Sequence, residues 1–151
     1  MPERMKQAVC LFIQNEEGKI LGVARRDDHE KFGLPGGKVD PGESHMQAAI
    51  RELREETNIQ VKPLDVYPVF TSICHGDDGN NFMCTTYFVE RWLGVEEKNG
   101  TLSMKENSSN LTMHGDAGPV KWLEPETLLS GPFGKYNLAL VMRLKEANII
   151  P

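Results

Sequence analysis

Apolar residues enter this chain in runs of strand length. Residues 6–14, KQAVCLFIQ, hold Ala8 to Ile13 without a break, and residues 19–25, KILGVAR, form a second run. Asn15-Glu16-Glu17-Gly18 between them is turn chemistry, so the pair predicts a β-hairpin. Further strands are expected within residues 61–75, interrupted near Pro63 and Pro68, then along FMCTTYFVERWL at 82–93 and PVKWL at 119–123. The period changes twice. Met46, Ala49, Ile50, Leu53 and Thr57 gather on one side of a helix predicted over 44–57, and YNLALVMRLKEA at 136–147 repeats the helical spacing. Pro125–Leu129 predicts a helical turn.

The punctuation supports these elements. Pro35 and Pro41, with Gly33, Gly36, Gly37 and Gly42, exclude a helix before residue 44 and predict a tight loop whose backbone can approach a ligand. Ser44 is placed to cap the first helix, with Gln47 completing a capping box, and Asn58 to leave it through a left-handed turn. Gly76 to Asn81 reads as a hairpin turn, because Asp77 and Asp78 lack the periodic oxygens of a calcium loop. Residues 94–117 are polar and long for an unstructured connection, which predicts a short hairpin or a mobile substrate loop. Strands on both sides of one central helix, with a helix at the end, imply an α/β (α+β) domain spanning 1–151, its mixed β-sheet held between helices. Irregular strand–helix order disfavours a doubly wound nucleotide fold. The apolar 82–93 strand is a candidate edge for pairing, so monomer and homodimer both stay open.

Composition narrows the partners. The 151 residues are 39% hydrophobic and 26% charged, with a net charge of −5 and no basic block, so no stable nucleic-acid partner is expected. The N-terminus lacks the pattern of a secretion signal, and no apolar run nears the roughly 20 residues that span a bilayer. A cytoplasmic protein without membrane association is the expectation. Cys10, Cys74 and Cys84 are odd in number and without CxxC spacing, and read as reduced thiols packed in strands. A zinc site from Cys74, His75 and Cys84 is disfavoured, since structural zinc takes four ligands. The sequons at Asn107 and Asn110 read as incidental without a secretion signal.

Charge is densest at Arg51-Glu52-Leu53-Arg54-Glu55-Glu56. With about 100° per residue, Glu55 and Glu56 fall at about −60° and 40° from Glu52, so three carboxylates share one stripe. Like charges at this spacing cost a helix a few tenths of a kcal/mol per pair, and a hard divalent cation is the natural compensation. A solvated acidic helix with salt bridges is the plain alternative for such a stripe. Gly37, Glu43 and Arg51 stand in register with it, and residues 37–59 resemble the signature box of the Nudix hydrolases. That pattern is a glycine, five residues, a glutamate, seven residues, Arg-Glu, an aliphatic residue, any residue, Glu-Glu, any residue, a glycine and an aliphatic residue. Gly37, Glu43, Arg51, Glu52, Leu53, Glu55, Glu56 and Ile59 fit; Asn58 replaces the last glycine. Asn tolerates positive φ, so the expected cost is roughly 1 kcal/mol or less.

The resemblance implies a Nudix-type α/β/α sandwich that hydrolyses a nucleoside diphosphate linked to another group. It implies Mg²⁺, with Mn²⁺ as the alternative, held by Glu52, Glu55, Glu56 and the Gly36 carbonyl. Glu52 is then the candidate to orient or deprotonate water, Glu43 a support of the metal shell, and Arg51 a partner of a box glutamate. A (d)NTP, oxidised ones included, is the favoured substrate, giving a monophosphate and pyrophosphate. ADP-ribose, a nucleotide-sugar or a dinucleotide competes, RNA 5′ ends are weakened by the acidic balance, and a sensor that binds nucleotide without turnover is a reading of another class. Arg25 and Arg26 are candidates for phosphate or an ordinary strand end, and Asn137 for a base or a helix cap. Asp116 and Glu106 are candidates for an extra carboxylate, with a solvated loop preferred; His75 and His114 read as surface residues.

Overall fold

Alternate residues of the first strand face two different helices. The chain is described by a computed structural model over residues 5–25, 30–75, 79–109, 119–131 and 133–151. Along β1 (Lys6–Phe12) and just past it, Val9, Leu11 and Ile13 enter one core cluster with Ala48, Ala49 and Leu53 of α1 (His45–Thr57). Cys10 and Phe12 enter another with Leu140, Val141 and Leu144 of α3 (Gly134–Glu146). A strand alternates its faces with period two, so one unbroken apolar run serves both layers.

The sheet between them is mixed. Its order is β4 (Gly36–Lys38), β1, β6 (Asn81–Val89), β5 (Val66–His75). β1 runs antiparallel to β4 and parallel to β6, a pairing that needs a long crossover, and the segment between them contains α1. A second, antiparallel sheet has the order β3 (Phe32–Gly33), β2 (Ile20–Ala24), β9 (Val120–Leu123). β7 (Leu93–Lys98) and β8 (Thr101–Glu106) pair as a separate hairpin, and the short helix α2 (Pro125–Leu129) precedes α3. The layered mixed-sheet architecture expected from the sequence is present.

Several local expectations change. The turn at 15–18 forms and Gln14 bridges Ile20, but β1 and β2 then part into different sheets, because both are buried and each needs partners on its own flanks. The loop at 33–43 is divided between β3 and β4. The strand expected over 82–93 ends at Val89, and it is interior, between β1 and β5, so it is no edge for association. The bulge between Pro68 and Phe70 lies on β5, the strand at the sheet margin, where proline's missing donor is tolerated. Residues 93–106 take the hairpin option, and the turn expected at Asp77 and Asp78 lies outside the described residues.

Candidate functional site: an acidic helix against a glycine turn

The first turn of α1 follows its capping chemistry. Ser44 Oγ accepts from the Gln47 N–H at 3.0 Å and the Gln47 side chain accepts from the Ser44 N–H at 2.9 Å. At the other end Asn58 has φ 61°, the left-handed exit expected from its replacement of glycine, and its N–H bonds Arg54 O. Ala48, Ala49, Leu53 and Thr57 are the buried residues, which turns the acidic stripe toward β4 and the Gly36–Gly37 turn.

Two carboxylates close on that turn. Glu56 Oε1 accepts from the Gly36 N–H at 2.7 Å. Glu52 lies directly under Gly37: a Cβ on Gly37 would stand 2.5 Å from Glu52 Oε1. Gly36 pairs with Cys10 across β1–β4, so the turn is fixed by the sheet and not by a free loop.

Arg51 gathers the remaining charge. It grips Glu43 in bidentate fashion, Nε to Oε2 at 2.7 Å and Nη2 to Oε1 at 2.9 Å. Its Nη1 donates to Glu52 Oε1 at 2.9 Å and Glu55 Oε2 at 3.2 Å, and Nη2 donates to Lys38 O at 3.2 Å. Asp40 Oδ2 lies 3.4 Å from Nη2. Planar guanidinium geometry allows this many directed bonds from one residue. The Arg51 bonds hold the Glu43 carboxyl down at about 2, helped by the Asp40 N–H. Glu52 moves the other way. Its desolvation under the turn raises it above the ordinary carboxylate value, Arg51 opposes this, and Glu55 and Asp40 add to it.

The family-type donor set can be tested against this geometry. Three carboxylates and the Gly36 backbone offer only oxygen, and a cation would relieve the desolvated charge of Glu52, so the donor chemistry fits a hard divalent ion. As placed, the oxygens are engaged by Arg51 and the Gly36 N–H, and among the described residues no three His, Cys, Asp or Glu side chains stand close enough to hold an ion. The fit is therefore one of ligand type and convergence on the turn.

Beside the turn opens an apolar pocket of about 280 Å³, lined by Gly36, Gly37, Lys38, Phe82, Tyr136 and Asn137 among others. The first strand and the 74–93 hairpin, expected together with the 94–117 loop to build a base pocket, contribute walls; no described residue of 94–117 is among its lining, and the other walls come from residues 34–38 and 133–137. Asn137 does not cap α3, whose N-cap is Phe133 without a side-chain bond. Instead its buried amide donates to Leu128 O at 3.4 Å. Arg25 sits at the end of β2, with its backbone N–H on Lys31 O, and is not among the pocket's lining residues; Arg26, His114 and Asp116 lie outside the described residues. Glu106 is exposed on β8, opposite Leu93, in a separate polar groove with Trp92 and Arg91. His75 is a surface residue whose Nδ1 lies 3.0 Å from Asn81 Oδ1.

The fold has counterparts among known proteins. The family model of the NUDIX domain matches residues 4–143. An 8-oxo-dGTP diphosphatase of Haemophilus influenzae is 30% identical over 147 residues, covering 95% of this chain and 94% of that protein. An RNA pyrophosphohydrolase of Erythrobacter litoralis is 38% identical over 74 residues, but that match spans only 44% of either chain. The solution structure of the Escherichia coli ORF135 protein superposes with a TM-score of 0.62 at 27% identity, covering 97% of both chains.

Proposed function

The chain belongs to the NUDIX domain family, and on that premise we propose that it hydrolyses the pyrophosphate linkage of a small nucleotide. The favoured substrate is a nucleoside triphosphate, oxidised ones included, with the monophosphate and pyrophosphate as products. The observation that carries this reading is the shared border of two features. Gly36 and Gly37 both meet the carboxylates of α1 and line the apolar pocket. A phosphate chain over the turn would place its base in a slot with Phe82, Tyr136 and the Asn137 amide. The relative matched over nearly its whole length carries the name of an 8-oxo-dGTP diphosphatase, which supports the triphosphate over a nucleotide-sugar.

Hydrolysis of a pyrophosphate needs charge neutralisation, a fixed line of attack and an activated water. Mg²⁺, or Mn²⁺ in its place, held by Glu52, Glu55, Glu56 and the Gly36 carbonyl, would polarise phosphoryl oxygens and lower the pKa of water. The chain's own residues do the rest. Glu52, desolvated under Gly37 and raised in pKa, is the group suited to accept a proton. Arg51 fixes Glu52 and Glu55 by direct bonds and is itself held by Glu43, so both are positioning residues. The Gly36 N–H locks Glu56 against the turn. No helix among the described residues is long and apolar enough to cross a membrane. A single domain over 1–151, acting in the cytoplasm, completes the proposal.

A panel of (d)NTPs, oxidised (d)NTPs, ADP-ribose and dinucleotides, read by product identity with Mg²⁺ and with Mn²⁺, tests it. The expected result is pyrophosphate released from a triphosphate, with loss of turnover and retention of fold in the Glu55→Gln, Glu56→Gln double variant. Tight nucleotide binding with no product from any member would replace the enzyme by a sensor, and unchanged turnover in the double variant would remove the acidic stripe from the mechanism.

A further inference from the structure

All three cysteines of the chain line the same pocket. The proposed hydrolysis uses none of them. Cys84 stands on β6, an interior strand, with Cys10 on β1 to one side and Cys74 on β5 to the other. They share the face turned toward α3. Cys84 Sγ and Cys10 Sγ are 3.6 Å apart. Cys10 Sγ also lies 3.0 Å from Thr86 Oγ1, which is 2.6 Å from the Tyr136 hydroxyl, and that hydroxyl donates to the Cys84 carbonyl at 3.2 Å. Cys84 and Cys10 are thus fixed side by side at the wall of a cavity of about 280 Å³.

We propose that Cys84 and Cys10 form a dithiol modification site for a small hydroperoxide that enters the pocket. The Cys84 sulfur, having lost its proton, attacks one peroxide oxygen. The O–O bond breaks, Cys84 becomes a sulfenic acid, and the second oxygen leaves as hydroxide, taking up a proton to become water when the peroxide is hydrogen peroxide. Cys10 sulfur then attacks the Cys84 sulfur and gives up its proton, and the sulfenic hydroxyl leaves as water. Two thiols are oxidised to one disulfide, and hydrogen peroxide is reduced to two waters, or an organic hydroperoxide to one alcohol and one water. The sulfurs close from 3.6 Å to a bond of about 2.0 Å. Hydrogen bonding from Cys10 and then Cys74 lowers the Cys84 thiol against the opposing effect of burial, which favours it as the attacking sulfur.

The consequence for turnover rests on the proposed hydrolysis; the thiol chemistry does not. Cys10 is the direct partner of Gly36 across β1–β4, and the Gly36 N–H holds Glu56. There is no slack at this contact: a Cβ on Gly36 would overlap the Val9 carbonyl oxygen and stand 2.8 Å from the Cys10 Cα. Drawing Cys10 toward Cys84 pulls on this pairing and so shifts the glycines against which Glu52 and Glu56 close.

The reduced full chain is treated with hydrogen peroxide, and its thiols are mapped by differential alkylation and mass spectrometry. The expected product is a Cys10–Cys84 linked peptide, reversed by dithiothreitol. Cys10→Ser should stop the reaction at a sulfenic acid on Cys84, trapped by dimedone, and Cys84→Ser should prevent the link, with circular dichroism reporting that each variant is folded. A wild-type chain whose Cys10 and Cys84 remain fully alkylatable after peroxide overturns the site whatever the variants do. So does a link that forms between other pairs. In the same samples kcat/KM for pyrophosphate release should fall by about tenfold or more on oxidation. A mapped disulfide in a chain that turns over no nucleotide removes the hydrolase reading and leaves the thiol site standing; a mapped disulfide with unchanged turnover removes the coupling to the turn.

Discussion

Gly37→Ala separates what the turn does for folding from what it does for Glu52. Gly37 is not among the positive-φ glycines, so its backbone accepts alanine. The obstacle is space alone. The added methyl would lie 2.5 Å from Glu52 Oε1, 2.6 Å from its Cδ and 2.8 Å from Oε2. Normal contact needs about 3.5 Å, so the carboxylate must retreat by about 1 Å. It is the end of a flexible side chain, and swinging it off its rotamer costs about 0.5–1.5 kcal/mol. A group misplaced by that much in a reacting centre costs about 10²-fold in rate. The expected variant is folded, within about 1.5 kcal/mol of wild type by urea denaturation, and about 10²-fold lower in kcat/KM for pyrophosphate release. Gly36→Ala is the contrast. Its methyl would overlap the Val9 carbonyl oxygen, a backbone atom of β1 that cannot swing aside, so that variant should lose the fold together with activity. A folded Gly37→Ala chain with wild-type kcat/KM would refute the role given to Glu52, and a Gly37→Ala chain as unstable as Gly36→Ala would refute the steric reasoning.

Other outcomes follow from the same geometry. Arg51→Lys loses the bidentate grip on Glu43 and cannot reach Glu52 and Glu55 together, so kcat/KM should fall by about 10- to 100-fold; steady-state kinetics showing no change would make Arg51 a surface ion pair. Glu43 has its folded pKa depressed from 4.5 to about 2, so its contribution to stability is complete above 4.5 and is lost as pH falls through about 2. Denaturation midpoints of wild type and Glu43→Gln, measured across that window, should therefore converge toward the acid end, and a gap that widens with acid would contradict the assignment. Asn58→Ala forces alanine to φ 61° and should cost about 1–2 kcal/mol in urea unfolding, with little effect on the substrate affinity.

What the sequence made legible was whatever helix geometry and local turns determine. Ser44, Gln47, Asn58 and the acidic stripe lie within one helix and its caps, where the spacing of residues is the spacing of side chains. Even there the stripe did not stay together. Glu52 and Glu56 turn to the glycines while Glu55 faces outward to Arg51, because Gly36 and Gly37 supply an N–H and an empty Cβ position at two points only. Strand partners were less legible. The turn at 15–18 forms as expected, yet nothing local says that β1 and β2 will part into different sheets and that β1 will instead run parallel to β6 some seventy-five residues later. That one non-local pairing brings Cys10 beside Cys84 and, with β5 and α3, encloses the pocket. The consequence for function is physical. On the proposed reading, the bond to be broken is chosen by a contiguous helix and the glycines that β1 holds against it. On the same reading, the molecule admitted to that bond is chosen by residues from β1, β6 and α3 that meet only because the sheet is mixed, so substitutions at Phe82 or Asn137 should alter substrate preference while leaving the hydrolytic step, as proposed, to Glu52, Arg51 and their neighbours.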